Sequence, residues 1–275
     1  MKIDSHQHFW KYNPSKHTWM TSDMSTLKQD FLPGDLKPLL EQCQLDGCVA
    51  VQASQSEKEN EFLIELAQQN DFIKGIVGWV DLQSEDIAER LSHFQQSKSI
   101  KGFRHVLHDE EDIDFMLRPN FLRGIDQLRN FDFTYDILVY PQHLGNTLKF
   151  VSQFPDQPFV IDHIAKPNID AAKIEEWKKD LKSIGAFENV YCKISGMVTE
   201  AKWNNWRQDN FTPYLDAVLE VFGIERVMYG SDWPVCTLSA TYKGMYHIVE
   251  TYFSQFTVSE QNKFFWQTAT QFYNL

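Results

Sequence analysis

IKGIVGWVDLQSEDIAERLSHFQQSKSIKGFRHV, residues 73–106, is the stretch whose reading decides the fold. It opens on an apolar run (73–80) and crosses a polar segment that starts at Ser84 and repeats Ile87, Leu91 and Phe94 at near-helical spacing. It ends on a second apolar run (100–106). Two such runs joined by a helix pair parallel, because a parallel neighbour needs a long crossover. This is the least marked unit of its kind in the chain, and with it the candidate strands number eight: 2–6, 47–53, 73–80, 100–106, 133–139, 158–164, 189–195 and 226–232. Eight βα units in 275 residues fit a closed barrel better than an open doubly wound sheet, and no Gly-rich phosphate loop follows the first strand. The reading is α/β: a (β/α)8 TIM barrel, one domain over residues 1–275.

Other segments support the alternation. In SEKENEFLIELAQQN (56–70), Ser56 and Glu59 have the spacing of a capping box ahead of Phe62, Leu63, Leu66 and Ala67. Residues 9–36 form the longest irregular stretch, rich in aromatics and long enough for a lid or binding loop. SEQNKFFWQTATQFY (259–273) reads as a closing helix with Phe265, Ala269 and Phe272 on one face.

Composition narrows the function. With 43% hydrophobic residues and 21 Phe the chain builds a packed core, and a net charge of −12 argues against a nucleic-acid or anionic-membrane partner. No apolar run approaches the ~20 residues that span a bilayer. Cys43, Cys48, Cys192 and Cys236 show no CxxC spacing and the polar start at Met1 does not read as a signal segment, so a cytoplasmic location is expected. Nothing in the sequence bears on oligomeric state.

Polar residues then stand out where a buried parallel strand should be apolar. MKIDSHQHFW (1–10) alternates so that Asp4, His6 and His8 share one strand face. Arg104 and His105 lie in the fourth strand, Asp136 in the fifth, His163 at the end of the sixth, Lys193 in the seventh and Asp232 at the end of the eighth. In a barrel those ends converge on one mouth. Asp136, Lys193 and Arg104 read equally well as partners in buried ion pairs. Gly230 shares a face with Asp232 and is expected to leave room beside its carboxylate.

HQHFW (6–10), VQASQSEKENEFL (51–63), VGWVDL (77–82), KGFRHVL (101–107), FVIDHIAKP (159–167), CKISGM (192–197), YGSDWPVC (229–236) and the terminal FYNL occur in an order that resembles the amidohydrolase superfamily, in its branch of L-fuconolactonase- and L-rhamnonolactonase-like lactone hydrolases. The resemblance implies a mouth site of His6, His8, His163 and Asp232. It also implies at most one divalent metal ion, zinc, on those four residues, because the fourth and fifth strands lack the bridging Lys or Glu and the His of two-metal relatives; hydrolysis without a metal stays open. The implied reaction is opening of a small-molecule substrate, a sugar lactone such as L-fuconolactone or L-rhamnonolactone, to its aldonic acid by water attack at the carbonyl. Asp232 would be the base and the three histidines would polarise the carbonyl. Arg104, His105, Trp79 and Tyr242 are the expected substrate contacts, with Trp10 and Trp233 as further apolar walls; Lys166 and Lys193 lie near the mouth without an assigned role. The alternatives are a carboxylated lactone of the pyrone dicarboxylate or muconolactone type, a metal-dependent decarboxylase, or a barrel that binds a sugar acid without turnover.

Overall fold

A computed structural model describes residues 1–275. Eight strands, β1 (Ile3–Gln7), β2 (Gly47–Val51), β3 (Ile73–Gly78), β4 (Ile100–His105), β5 (Thr134–Ile137), β6 (Phe159–Ile161), β7 (Val190–Ile194) and β8 (Val227–Tyr229), pair parallel in chain order. The ring closes just beyond β8, where the Asp232 N–H donates to His6 O (2.8 Å) and the His8 N–H donates to Trp233 O (2.7 Å). The architecture is the (β/α)8 barrel.

The outer layer comprises α1 (Pro33–Gln42), α2 (Glu57–Gln69), α3 (Ile87–Gln95), α4 (Pro119–Leu128), α5 (Leu144–Val151), α6 (Glu175–Gly185), a short α7 (Met197–Glu200), α8 (Thr212–Phe222) and α9 (Tyr242–Phe253). The least marked unit is real: α3 buries Ile87, Leu91 and Phe94 against the sheet, worth about 1.5–3 kcal/mol each on burial. At α2 the expected capping box is not made. The Ser56 side chain caps nothing, and Glu59 Oε1 instead accepts from the Ala53 and Ser54 N–H groups (2.5 and 3.1 Å), donors that the loop leaving β2 would otherwise leave unpaired. No helix is long and apolar enough to cross a membrane.

The closing segment consists of α10 (Val258–Asn262), a π turn (Lys263–Gln267) and α11 (Thr268–Tyr273). Ala269, Phe272 and Tyr273 join the barrel-lining Ile3, Val49, Val51, Val77, Val160 and Met228 in one apolar cluster. They enter where the strands begin: Lys101, near the start of β4, donates to Asn274 O (2.7 Å), and Tyr191, near the start of β7, packs on Phe272. The C-terminus is therefore the barrel floor, opposite the mouth. Within the long stretch after β1, Trp10, Met20 and Leu27 form a small cluster of their own with Leu238, from the loop after β8.

Candidate active site

The first strand carries an extra residue. Asp4 pairs with Cys48 and Gln7 with Ala50, three steps on β1 against two on β2, so a bulge lies between them. It inverts the alternation: Ile3 lines the barrel, Asp4 turns outward, and His6 and His8 come back inside. The expectation that Asp4 shares a face with the histidines is thus corrected. Gly230 also serves a different neighbour from the one expected. A Cβ there would lie 2.7 Å from His6 Cβ and 3.1 Å from Ser195 Cβ, so the glycine makes room for His6 rather than for Asp232. Gly230→Ala is expected to displace His6, to lower stability by about 1–3 kcal/mol and to lower kcat at least about tenfold, as read by urea unfolding and steady-state rates.

His163 and Asp232 are set by unusual backbone. Residues 163–166 all have positive φ (53, 50, 60 and 48°), a left-handed turn without a glycine, at a cost of roughly 1–2 kcal/mol per residue. Trp177 Nε1 donating to Ile164 O (2.8 Å) and the Lys166 N–H donating to His163 O (2.7 Å) hold the turn. Asp232 is also left-handed (φ 57°). Gly196 (φ 62°) gives His163 its space, since a Cβ there would lie 2.7 Å from His163 Nδ1. These strained segments project two side chains into the mouth that regular strands would have pointed elsewhere.

Four side chains meet around one oxygen. Asp232 Oδ1 lies 3.3 Å from His8 Nε2, 3.8 Å from His163 Nε2 and 3.9 Å from His6 Nε2. Two of these separations are too long for hydrogen bonds, and the His8 distance equals the edge of a tetrahedron, about 3.3–3.4 Å when metal–nitrogen bonds are about 2.0–2.1 Å, with the other two about half an ångström longer. Each Nδ1 is occupied on its far side. His8 Nδ1 donates to Val51 O (2.8 Å) and His163 Nδ1 meets Ser195 Oγ (2.8 Å), the outer support typical of metal-ligating imidazoles, whereas His6 Nδ1 is hydrogen-bonded with Lys193 Nζ (3.1 Å) and lies 3.2 Å from Asp162 Oδ1. His6, His8 and Asp232 form one donor set that fits a divalent ion, and His163 falls in a second such set with His6 and Asp162. Burial, the largest effect, lowers His163 to about 4 and takes His6 well below its ordinary range, so both rings are neutral at pH 7. Burial works against the Asp232 carboxylate, but His163, His8 and His6 outweigh it and hold it below the usual range. His8, His163 and Asp232 keep 4–6% side-chain exposure while His6 keeps none, so solvent reaches the cluster from the mouth side.

Beneath the cluster lies a charged layer. Lys193 Nζ is 2.5 Å from Asp136 Oδ2 and 3.1 Å from Asp162 Oδ1, and Arg104 donates to Asp162 Oδ2 (3.0 Å) and to Gln52 O (2.6 Å). With Asp232 this makes three carboxylates against two cations, a deficit that a bound cation offsets. Burial raises Asp136 to about 6 despite Lys193, whereas for Asp162 the charge of Lys193, the adjoining His6 ring and the charge of Arg104 overcome burial and hold it well below the carboxylate range.

Of the expected substrate contacts, Arg104 points into the barrel with its Nη1 3.3 Å from His6 Nε2. His105, the next residue on the strand, must face the other way. Its ring stacks on Phe115 (4.7 Å), its Nδ1 accepts from Trp79 Nε1 (3.3 Å) and its Nε2 donates to Glu110 (2.6 Å). His105 and Trp79 thus form a separate cluster outside the histidine–Asp232 group. Tyr242 is also placed elsewhere: its side chain is buried in the main core and its hydroxyl donates to Asp4 Oδ2 (2.9 Å), the carboxylate that the bulge turned outward. Tyr242→Phe is expected to cost about 1.5–3 kcal/mol in urea unfolding while kcat/KM stays within about threefold of wild type. Trp10 and Trp233 are almost wholly buried, and Lys166 is paired with Glu200 (2.5 Å). Asp162, Gln52 and Ser195 were missed from the sequence. For Asp162 a signal existed, since it falls two residues after the barrel-lining Val160.

Comparison with known proteins agrees with this geometry. A family model described as amidohydrolase matches residues 3–275. An L-fucono-1,5-lactonase of Burkholderia multivorans is 36% identical over 286 aligned residues, covering 100% of this chain and 96% of that protein. One from Burkholderia ambifaria is 35% identical over 240 residues, 86% of this chain and 82% of that protein. A crystal structure of a Burkholderia multivorans amidohydrolase with bound zinc superposes with a TM-score of 0.96 at 36% identity, over 100% of this chain and 99% of that one. By its sequence from end to end and by its barrel, the chain belongs to the amidohydrolase family.

Proposed function

We propose that the protein is a lactonase that opens a neutral sugar lactone of the L-fucono-1,5-lactone type to the aldonic acid. The observation that carries this reading is the convergence of three imidazole Nε2 atoms on an ionised Asp232 at the barrel mouth, in a chain 36% identical along its length to an L-fucono-1,5-lactonase. His6, His8, His163 and Asp232 would hold one zinc ion, which when bound supplies Lewis acidity for the carbonyl and for water. Asp232 Oδ1 lies among the rings, so the other carboxylate oxygen is the one that takes a proton from the attacking water and returns it to the ring oxygen as the C–O bond breaks. Arg104, 3.3 Å from His6 Nε2, places a fixed positive charge beside the oxygen that becomes negative.

The pairing of the cations supports a neutral substrate. Arg104 is committed to Asp162 and Gln52, Lys193 to Asp136 and Asp162, and Lys166 to Glu200. A carboxylated lactone would have to displace one of these carboxylates or meet an uncompensated charge. The test is proton release, corrected for spontaneous hydrolysis, against neutral aldonolactones and 2-pyrone-4,6-dicarboxylate. Turnover is expected only on the neutral group, falling at least about 10²-fold after chelation and returning with zinc. Turnover of the dicarboxylate with silence on every aldonolactone overturns the reading.

A further inference from the structure

The left-handed turn that delivers His163 also delivers Lys166, its last residue (φ 48°). Lys166 Nζ forms an ion pair with Glu200 Oε1 (2.5 Å), at the end of α7, and both side chains are mostly buried. Burial works against the Lys166 ammonium, but the charge of Glu200 and, after it, that of Asp232 outweigh burial and raise the group. The pair is therefore ionised and lies within reach of the Asp232 charge.

Two side chains from neighbouring loops at the same end of the barrel join it. Lys166 Nζ lies 5.7 Å from the centroid of the Tyr140 ring, beyond β5, and the His108 ring, beyond β4, meets that ring edge to face at 4.7 Å. His108 Nδ1 is buried without a hydrogen-bond partner, and Asp109 Oδ1, 3.8 Å away, is out of reach. Burial, helped by the charges of Lys166 and Arg104, lowers His108 to about 3, so its ring is neutral at pH 7. A buried ring nitrogen left unpaired is destabilising, which makes this atom a place for a ligand to meet.

The loops after β4, β5, β6 and β7 thus gather a neutral imidazole, a phenol ring, an ammonium and a carboxylate on one side of the mouth. Lys166 and Glu200 cancel in charge but keep both kinds of hydrogen-bonding capacity, because the pair uses one carboxylate oxygen and leaves the ammonium further N–H bonds. Hydroxyl groups suit such a set, since each offers a proton to a carboxylate and lone pairs to an ammonium or an imidazole N–H. An anion would meet Glu200, and an apolar group would leave His108 Nδ1 unpaired.

We propose that His108, Lys166 and Glu200 form the subsite that holds the ring hydroxyls of the substrate, and that they select a polyhydroxylated lactone over a bare one. The inference rests on the lactonase reading and adds to it the residues that recognise the sugar.

The test compares kcat/KM for L-fucono-1,5-lactone with that for δ-valerolactone, a ring of the same size without hydroxyls, in wild type, Glu200→Gln and His108→Phe with zinc present. Phenylalanine keeps a ring against Tyr140, and glutamine keeps the shape of Glu200. Wild type is expected to favour the sugar lactone about 10²-fold or more, and each variant to lose at least about tenfold of that ratio, mainly through a higher KM for the sugar lactone. Calorimetry with 1,5-anhydro-L-fucitol, the hydroxylated ring without its carbonyl, gives a readout independent of turnover: wild type is expected to bind it, and both variants at least about fivefold more weakly. A ratio within about threefold of wild type in both variants, a wild type without preference for the sugar lactone, or failure of both variants to fold overturns the inference. A wild type that opens no lactone but binds the anhydrofucitol in a Glu200-dependent way removes the functional reading and keeps the subsite; one that neither opens a lactone nor binds the anhydrofucitol removes both.

Discussion

Asp232→Asn is expected to lower kcat for lactone opening by about 10²–10⁴ or more, with the fold retained. Asparagine keeps the shape of the side chain and tolerates the left-handed backbone at this position (φ 57°), so the substitution tests charge and basicity rather than geometry. His163, His8 and His6 hold the Asp232 carboxylate below the usual range, so the wild-type group is ionised at any pH the enzyme meets. An amide can neither accept the proton of the attacking water nor return it to the leaving oxygen. The loss should fall on kcat, because both proton transfers belong to the chemical step. A kcat within about threefold of wild type would remove Asp232 from the proton-transfer role.

Lys193→Met is expected to destabilise the fold by about 3–5 kcal/mol, because it leaves Asp136 and Asp162 buried without their shared cation. Methionine fills much of the same volume, so the loss reports charge rather than a cavity. Adding Asp136→Asn to the Lys193→Met background should recover more than half of it, since Asp162 still has Arg104 at 3.0 Å. The readout is the urea midpoint at constant slope. An unchanged midpoint in the single variant would mean that the ion pair is not formed in the folded protein.

The barrel was legible because its signals are local. Parallel strands buried on both faces read as short apolar runs, and even the least marked unit announced α3 through Ile87, Leu91 and Phe94. The mouth residues were legible for the same reason, as charges and imidazoles at the ends of those runs. What escaped depends on backbone departures and on contacts far apart in sequence. One inserted residue in β1 reversed the face of Asp4 and took Tyr242 with it. Strict alternation separated His105 from Arg104 although they are adjacent, and the left-handed turn at His163 follows no propensity. The link from Tyr273 to Asp136 spans 137 positions and joins floor to mouth, which no local pattern records.

The central claim is that His6, His8, His163 and Asp232 form one centre that acts on the lactone carbonyl. The most direct measurement is a crystal structure of the wild-type protein with zinc and the ring-opened product, with data collected on both sides of the zinc absorption edge. The account predicts a single anomalous peak among the three Nε2 atoms and Asp232 Oδ1, with the product carboxylate against it and beside Arg104. A peak at another set of residues, no peak at saturating zinc, or product bound away from the mouth would contradict it.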